Sequence, residues 1–85
     1  MKVVDGALVW KLHATYGFPL ELSLPILADR GLVPAWDRLL DAAAADGADV
    51  ARLIRRLDES CGDAYPPDMA DFIRAGLQHL LAARP

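Results

Sequence analysis

The sequence has a single cysteine, Cys61, among 85 residues, which excludes an internal disulfide framework. One thiol and no bridge suit a reducing compartment, so a cytoplasmic location is expected. Histidine is almost as scarce, with only His13 and His79. No Cys or His pair stands at metal-ligand spacing, and no glycine-rich phosphate loop is present, so neither metal nor other cofactor is expected. A catalytic triad needs a histidine beside a nucleophile and an orienting acid. His13 reads instead as a half-exposed residue near a helix C-terminus, where an imidazolium interacts well with the dipole. His79 falls just off an apolar stripe. Cys61 lacks an activating base and reads as a small packed hydrophobe. With no nucleophile, base and stabiliser together, the chain is expected not to be an enzyme.

Long hydrophobic runs are missing too. The opening MKVVDGALVWK holds Lys2, then Asp5, and no extended apolar core, unlike a signal peptide. No stretch reaches the uninterrupted apolar length of a membrane span. Positive charge is not in excess either: the net charge is −3 and the pI about 5.1. Phosphate neutralisation drives nucleic-acid binding, so this balance counts against a generally basic binding surface and leaves only a local patch. The acidic residues are scattered, and capping and solvation account for most of them.

What is present is helix-forming. Hydrophobic residues make up 54% and charged residues 25%, and the apolar excess is largely Ala and Leu. Eighty-five residues make one domain with one modest core, taken as 1–85. Asp5 can cap a first helix, with Val4 and Val9 as a hydrophobic staple. Leu8, Leu12 and Tyr16 recur at helical spacing along it, with Trp10 to one side. Gly17 then stands where a left-handed residue ends a helix, Phe18 folds back, and Pro19 forbids continuation. Ser23 offers an N-cap to a short second helix, with Pro25 in its first turn and a stop at Gly31. Pro34 opens a third helix with Trp36, Leu39, Leu40, Ala43 and Ala44 on its apolar side, stopping near Gly47.

The fourth helix buries Val50, Leu53, Ile54 and Leu57, and Gly62 ends it. Pro67 begins a fifth, striped by Met69, Phe72, Ile73, Leu77, Leu80 and Leu81, with Gly76 offering close approach to another helix. No strand is indicated. The expected fold is all-α: a small bundle of four to five short helices with no sheet.

Two features point to function. Arg52, Arg55 and Arg56 project from the polar face of the fourth helix and form the best local electrostatic feature. They suit phosphates or a partner's carboxylates, although Asp49 and Glu59, each one turn away, are placed to quench them. The other feature is residues 6 to 31, GALVWKLHATYGFPLELSLPILADRG. Lys11, Leu12, Thr15, Tyr16, Gly17, Phe18, Pro19, Leu20, Glu21 and Leu22, then Ser23 as the cap, and Arg30, Gly31 and Leu32, resemble in register a segment of alanyl-tRNA synthetases. The likeness fades after about Gly47. Residues 6–47 are thus the synthetase-like segment, and 48–85 complete the core.

The resemblance implies a piece of the helical region that follows the catalytic domain and helps recognise the tRNA acceptor stem. It implies no aminoacylation by this chain alone. His13 replaces the family's Tyr, Trp10 its Phe, and Ala14 an Asp implicated in reading the acceptor stem. Alanine has no donor or acceptor with which to read a base edge. The shape-giving residues Thr15, Tyr16, Gly17, Phe18, Pro19 and Ser23 are intact. The expectation is a non-catalytic module whose partner is tRNA or a synthetase-like protein, with Arg52, Arg55, Arg56, Lys11 and His13 as contact residues. The alternative is the same scaffold serving as a protein-interaction or regulatory module without tRNA binding.

Overall fold

The structure is a computed structural model and describes residues 1–84. The chain runs β1 (Lys2–Val4), α1 (Gly6–Tyr16), α2 (Leu20–Asp29), β2 (Leu32–Pro34), α3 (Trp36–Ala45), α4 (Val50–Ala64) and α5 (Pro67–Ala83). Five helices hold most of the residues, as expected. The absence of a sheet is not met, because β1 and β2 pair in parallel, with Lys2 opposite Leu32, Val3 opposite Val33 and Val4 opposite Pro34. Lys2 N–H donates to Gly31 O at 2.9 Å, and Ala35 N–H donates to Val4 O at 2.8 Å. Parallel strands require a crossover, and α1 with α2 supplies it. Each strand is three residues long, too short to show an alternating pattern. Pro34 therefore closes β2 rather than opening α3, which starts at Trp36 after Ala35.

Helix α1 begins as expected: the Asp5 carboxylate accepts from Ala7 N–H at 3.0 Å. Its buried face is different. Gly6, Val9 and Trp10 are buried, while Leu8, Leu12 and Tyr16 are 60%, 48% and 72% exposed. The inward stripe starts at a glycine, which adds nothing to a count of apolar side chains. Its lack of one lets α1 approach α3 backbone to backbone. A Cβ on Gly6 would run into the Ala35 carbonyl and lie 2.6 Å from Leu39 N.

The TYGFP stop forms as read. Gly17 has φ 70° and its N–H donates to His13 O at 3.0 Å, satisfying a last-turn carbonyl in the left-handed cap geometry. Helix α2 then starts immediately, with Pro19 as its N-cap. Ser23 is not the cap: it is buried inside the helix, and its hydroxyl donates to Pro19 O at 3.3 Å. Pro25 also lies within the helix rather than in its first turn. The stops near 31 and 47 hold, as Gly31 and Gly47 both have positive φ.

Gly62 does not end α4, which continues to Ala64. The guanidinium of Arg74 from α5 lies across Gly62, so that a Cβ there would sit 3.2 Å from Arg74 Cζ. Arg74 Nε donates to the Asp58 carbonyl at 3.1 Å. In α5, Pro67 takes the first helical position, and Ala70, Ile73 and Leu77 are buried. Phe72, expected in the stripe, is 76% exposed. Nothing approaches within 4 Å of the position a Gly76 Cβ would take, so Gly76 seats no helix. The core centres on Leu20, Leu24, Leu39, Leu40, Ile54, Leu57, Cys61 and Leu77. Tyr65, buried after α4, donates its hydroxyl to Leu32 O at 3.0 Å and so ties β2 to the helical layer.

Candidate functional site

Asp49 caps α4 by accepting from Arg52 N–H at 3.2 Å. The helix that follows alternates an apolar stripe (Leu53, Ile54, Leu57, Cys61) with the exposed Arg52, Arg55 and Arg56. The stripe packs α4 on α2 and α5, which leaves the arginines outside. They are not quenched by their own helix. Arg56 instead reaches α2: its Nη2 lies 2.9 Å from Glu21 Oε1 and its Nε 3.1 Å from the same oxygen. Among the described residues, Arg52 and Arg55 have no carboxylate in ion-pair range.

Arg52 and Arg56 face a shallow cleft of about 190 Å³, shared with Trp10, Ala48, Asp49 and Leu53. Trp10 comes from the synthetase-like segment, so the fold joins that segment to the arginine helix at this point. The indole Nε1 donates to Asp46 Oδ2 at 2.7 Å, which fixes the ring. His13 lies over the same ring, with centroids 5.2 Å apart and planes at 57°. Its Nδ1 sits 3.2 Å from the Phe18 carbonyl oxygen. A carbonyl only accepts, so Nδ1 carries the proton in that contact.

Glu21 is held below the usual carboxylate range, first by a hydrogen bond from its own backbone amide, then by Arg56, with a smaller contribution from His13. His13, Glu21 and Arg56 therefore share one local field. Lys11 is exposed on α1 but does not line the cleft, and neither does Arg55. Thr15 and Tyr16 are exposed, and Ala14 is exposed beside them. Tyr16, Gly17, Phe18, Pro19 and Ser23 shape the α1–α2 corner.

Two members of the site were not among the expected contact residues. Asp46 orients Trp10, and Glu21 neutralises Arg56. They lie 36 and 35 residues from their partners, and no local spacing encodes such pairs. Other chemistry is sparse. Burial raises the Cys61 thiol to about 12, which leaves it protonated and unreactive. Among the described residues no group of three or more His, Cys, Asp or Glu is placed to hold a metal ion. Among the described residues no helix is long and apolar enough to cross a membrane.

Known proteins match part of this chain. The alanine–tRNA ligases of Burkholderia cenocepacia and Burkholderia vietnamiensis are each 51% identical over an alignment of 39 residues that covers 42% of this chain. That of Corynebacterium diphtheriae is 58% identical over 31 residues, or 36% of this chain. The matched stretch is only 4% of the length of each of these ligases. No family model matches the chain. No solved structure matches it either. The similarity to alanyl-tRNA synthetases is thus specific and confined to a segment.

Proposed function

We propose that the chain is a non-catalytic helical module that associates with tRNA through the face shared by α1 and α4. The observation that carries this reading is the convergence of Arg52 and Arg56 of α4 on Trp10 of the synthetase-like segment. Arg52 and Arg55, both without carboxylate partners among the described residues, supply charge for phosphates. His13, lying beside Trp10, extends this side of α1, and Lys11 adds an exposed positive charge elsewhere on the same helix. Ala14, where the related ligases' pattern has an acidic residue, makes the contact one of backbone and shape rather than base reading.

The test is tRNA binding measured across a salt series. Binding is expected at low salt, with a slope of about −1.5 to −2 in log K against log salt for the two phosphate contacts of Arg52 and Arg55. Replacing Arg52, Arg55 and Arg56 by Ala should flatten that slope. Undetectable binding at low salt, or an unchanged slope in the triple variant, rejects the reading.

A second reading, a protein-interaction module without tRNA binding, is favoured by a different observation. Leu8, Leu12, Tyr16, Leu22 and Ile26 stand exposed together on α1 and α2, and water alone is a poor partner for such a face.

A further inference from the structure

The apolar face of α1 and α2 is distinct from the arginine face. Leu12, Tyr16 and Phe18 on one side and Ile26 and Leu27 on the other border a groove of about 370 Å³ floored by Val9 and Ser23. Leu8, Leu12 and Tyr16 are spaced i, i+4, i+8 and form one ridge; Leu22 and Ile26, also i, i+4, form the other. None of the residues lining the groove is charged. None takes part in the ion pairs Arg38–Asp5, Arg56–Glu21 or Arg84–Asp41.

We infer that this groove seats the same face of a second copy of the chain in a two-fold dimer. Three observations support a second copy over another occupant. The first is area. Leu8, Leu12, Tyr16, Phe18, Leu22 and Ile26 are 38% to 72% exposed. At roughly 150–200 Å² per side chain, they leave on the order of 600 Å² of apolar surface open. A stable interface takes about 800 Å² from each partner, and this apolar face alone supplies roughly three quarters of that.

The second observation is shape. Ridges of i, i+4 residues have the row geometry by which two helix surfaces interdigitate, and a two-fold contact needs the same patch to serve on both copies. The third is charge. The chain is net acidic at −3, and copies would repel if charge lay at the contact. Here it does not, and an uncharged groove has no handle that selects a charged partner instead.

Sedimentation equilibrium from low to high micromolar concentration tests the inference, on the wild-type chain and on Leu12→Glu, Tyr16→Arg and Phe72→Glu. Circular dichroism verifies that each variant folds. Phe72 belongs to a different exposed apolar patch on α5 and is the control. The wild type and Phe72→Glu should dimerise alike, and the two groove variants should weaken the dimer by about tenfold or more. Tyr16, 72% exposed, can be changed with no cost to the core should Leu12→Glu not fold. A chain that is monomeric throughout overturns the inference. So does a dimer lost in Phe72→Glu but kept in the groove variants. A monomer whose Leu12 face becomes protected only when another protein is added also overturns it, and gives the groove to that protein. The groove variants leave all three arginines in place, so loss of dimer and loss of tRNA binding are read separately.

Discussion

Arg56 of α4 donates from both Nε and Nη2 to a single oxygen of Glu21 on α2, at 3.1 and 2.9 Å. One arginine of the trio is therefore already occupied across the helix interface, while its two neighbours remain open to solvent.

Replacing Glu21 by Gln should release Arg56 and raise tRNA affinity about two- to fivefold at low salt, the gain vanishing as salt screens it. Both side chains are roughly half exposed, 44% for Arg56 and 47% for Glu21, so the stability cost should stay below about 1 kcal/mol. Its pH dependence has a definite sign. The folded state holds the Glu21 carboxyl below its ordinary value. Its contribution is complete above the unfolded glutamate pKa and is lost as pH falls through the lowered folded value. Melting temperatures of wild type and Glu21→Gln, compared from neutral pH downward, should converge in acid.

Two of the helical glycines, Gly6 and Gly76, should respond to alanine in opposite directions. At Gly6 the new methyl would collide with the Ala35 carbonyl and the Leu39 backbone, so Gly6→Ala should cost about 2–4 kcal/mol or prevent folding. At Gly76 nothing stands within 4 Å, and Gly76→Ala should gain about 0.5–1 kcal/mol through helix propensity. Urea denaturation of both variants distinguishes the two; equal effects would show that α1 and α3 are not in backbone contact.

At Gly17 the φ of 70° penalises any side chain, and a β-branched one most. The space around it is open, so the penalty is purely conformational. Gly17→Ala should cost about 1 kcal/mol and Gly17→Val more. Unchanged melting temperatures in both would exclude the left-handed cap.

Cys61 is fully buried in the core, and its thiol is raised to about 12, chiefly by desolvation and further by Asp58. A thiol reagent at neutral pH should leave the native chain unmodified and react at once in denaturant. Rapid labelling of the native protein would place Cys61 at the surface.

Much of this was legible in the sequence wherever local chemistry decides. Gly17, Gly31, Gly47, Asp5 and Pro67 mark helix ends through their own backbone or capping preferences, and each end falls at or beside them. The failures share a cause, which is that the deciding partner is distant in sequence. Gly62 passes for a stop until Arg74 is laid across it. Leu8, Leu12 and Tyr16 pass for the inner face of α1 until Gly6 is seen against Leu39. Pro34 passes for a helix start until β1 lies beside it. At the site, the arginine face was visible as a pattern on one helix. Its junction with Trp10 and its neutralisation by Glu21 required α1, α2 and α4 to be brought together.

The pairing of β1 with β2 also bears on the order of events during folding. Lys2 pairs with Leu32 across two intervening helices, so this contact carries a loop-closure entropy that local contacts do not. The α1–α2 corner, held by TYGFP, is local and can form early; the N-terminal strand is its last stitch. Amides of β1 should therefore gain protection late in refolding, and substitutions at Val3 or Val4 should change the unfolding rate more than the folding rate.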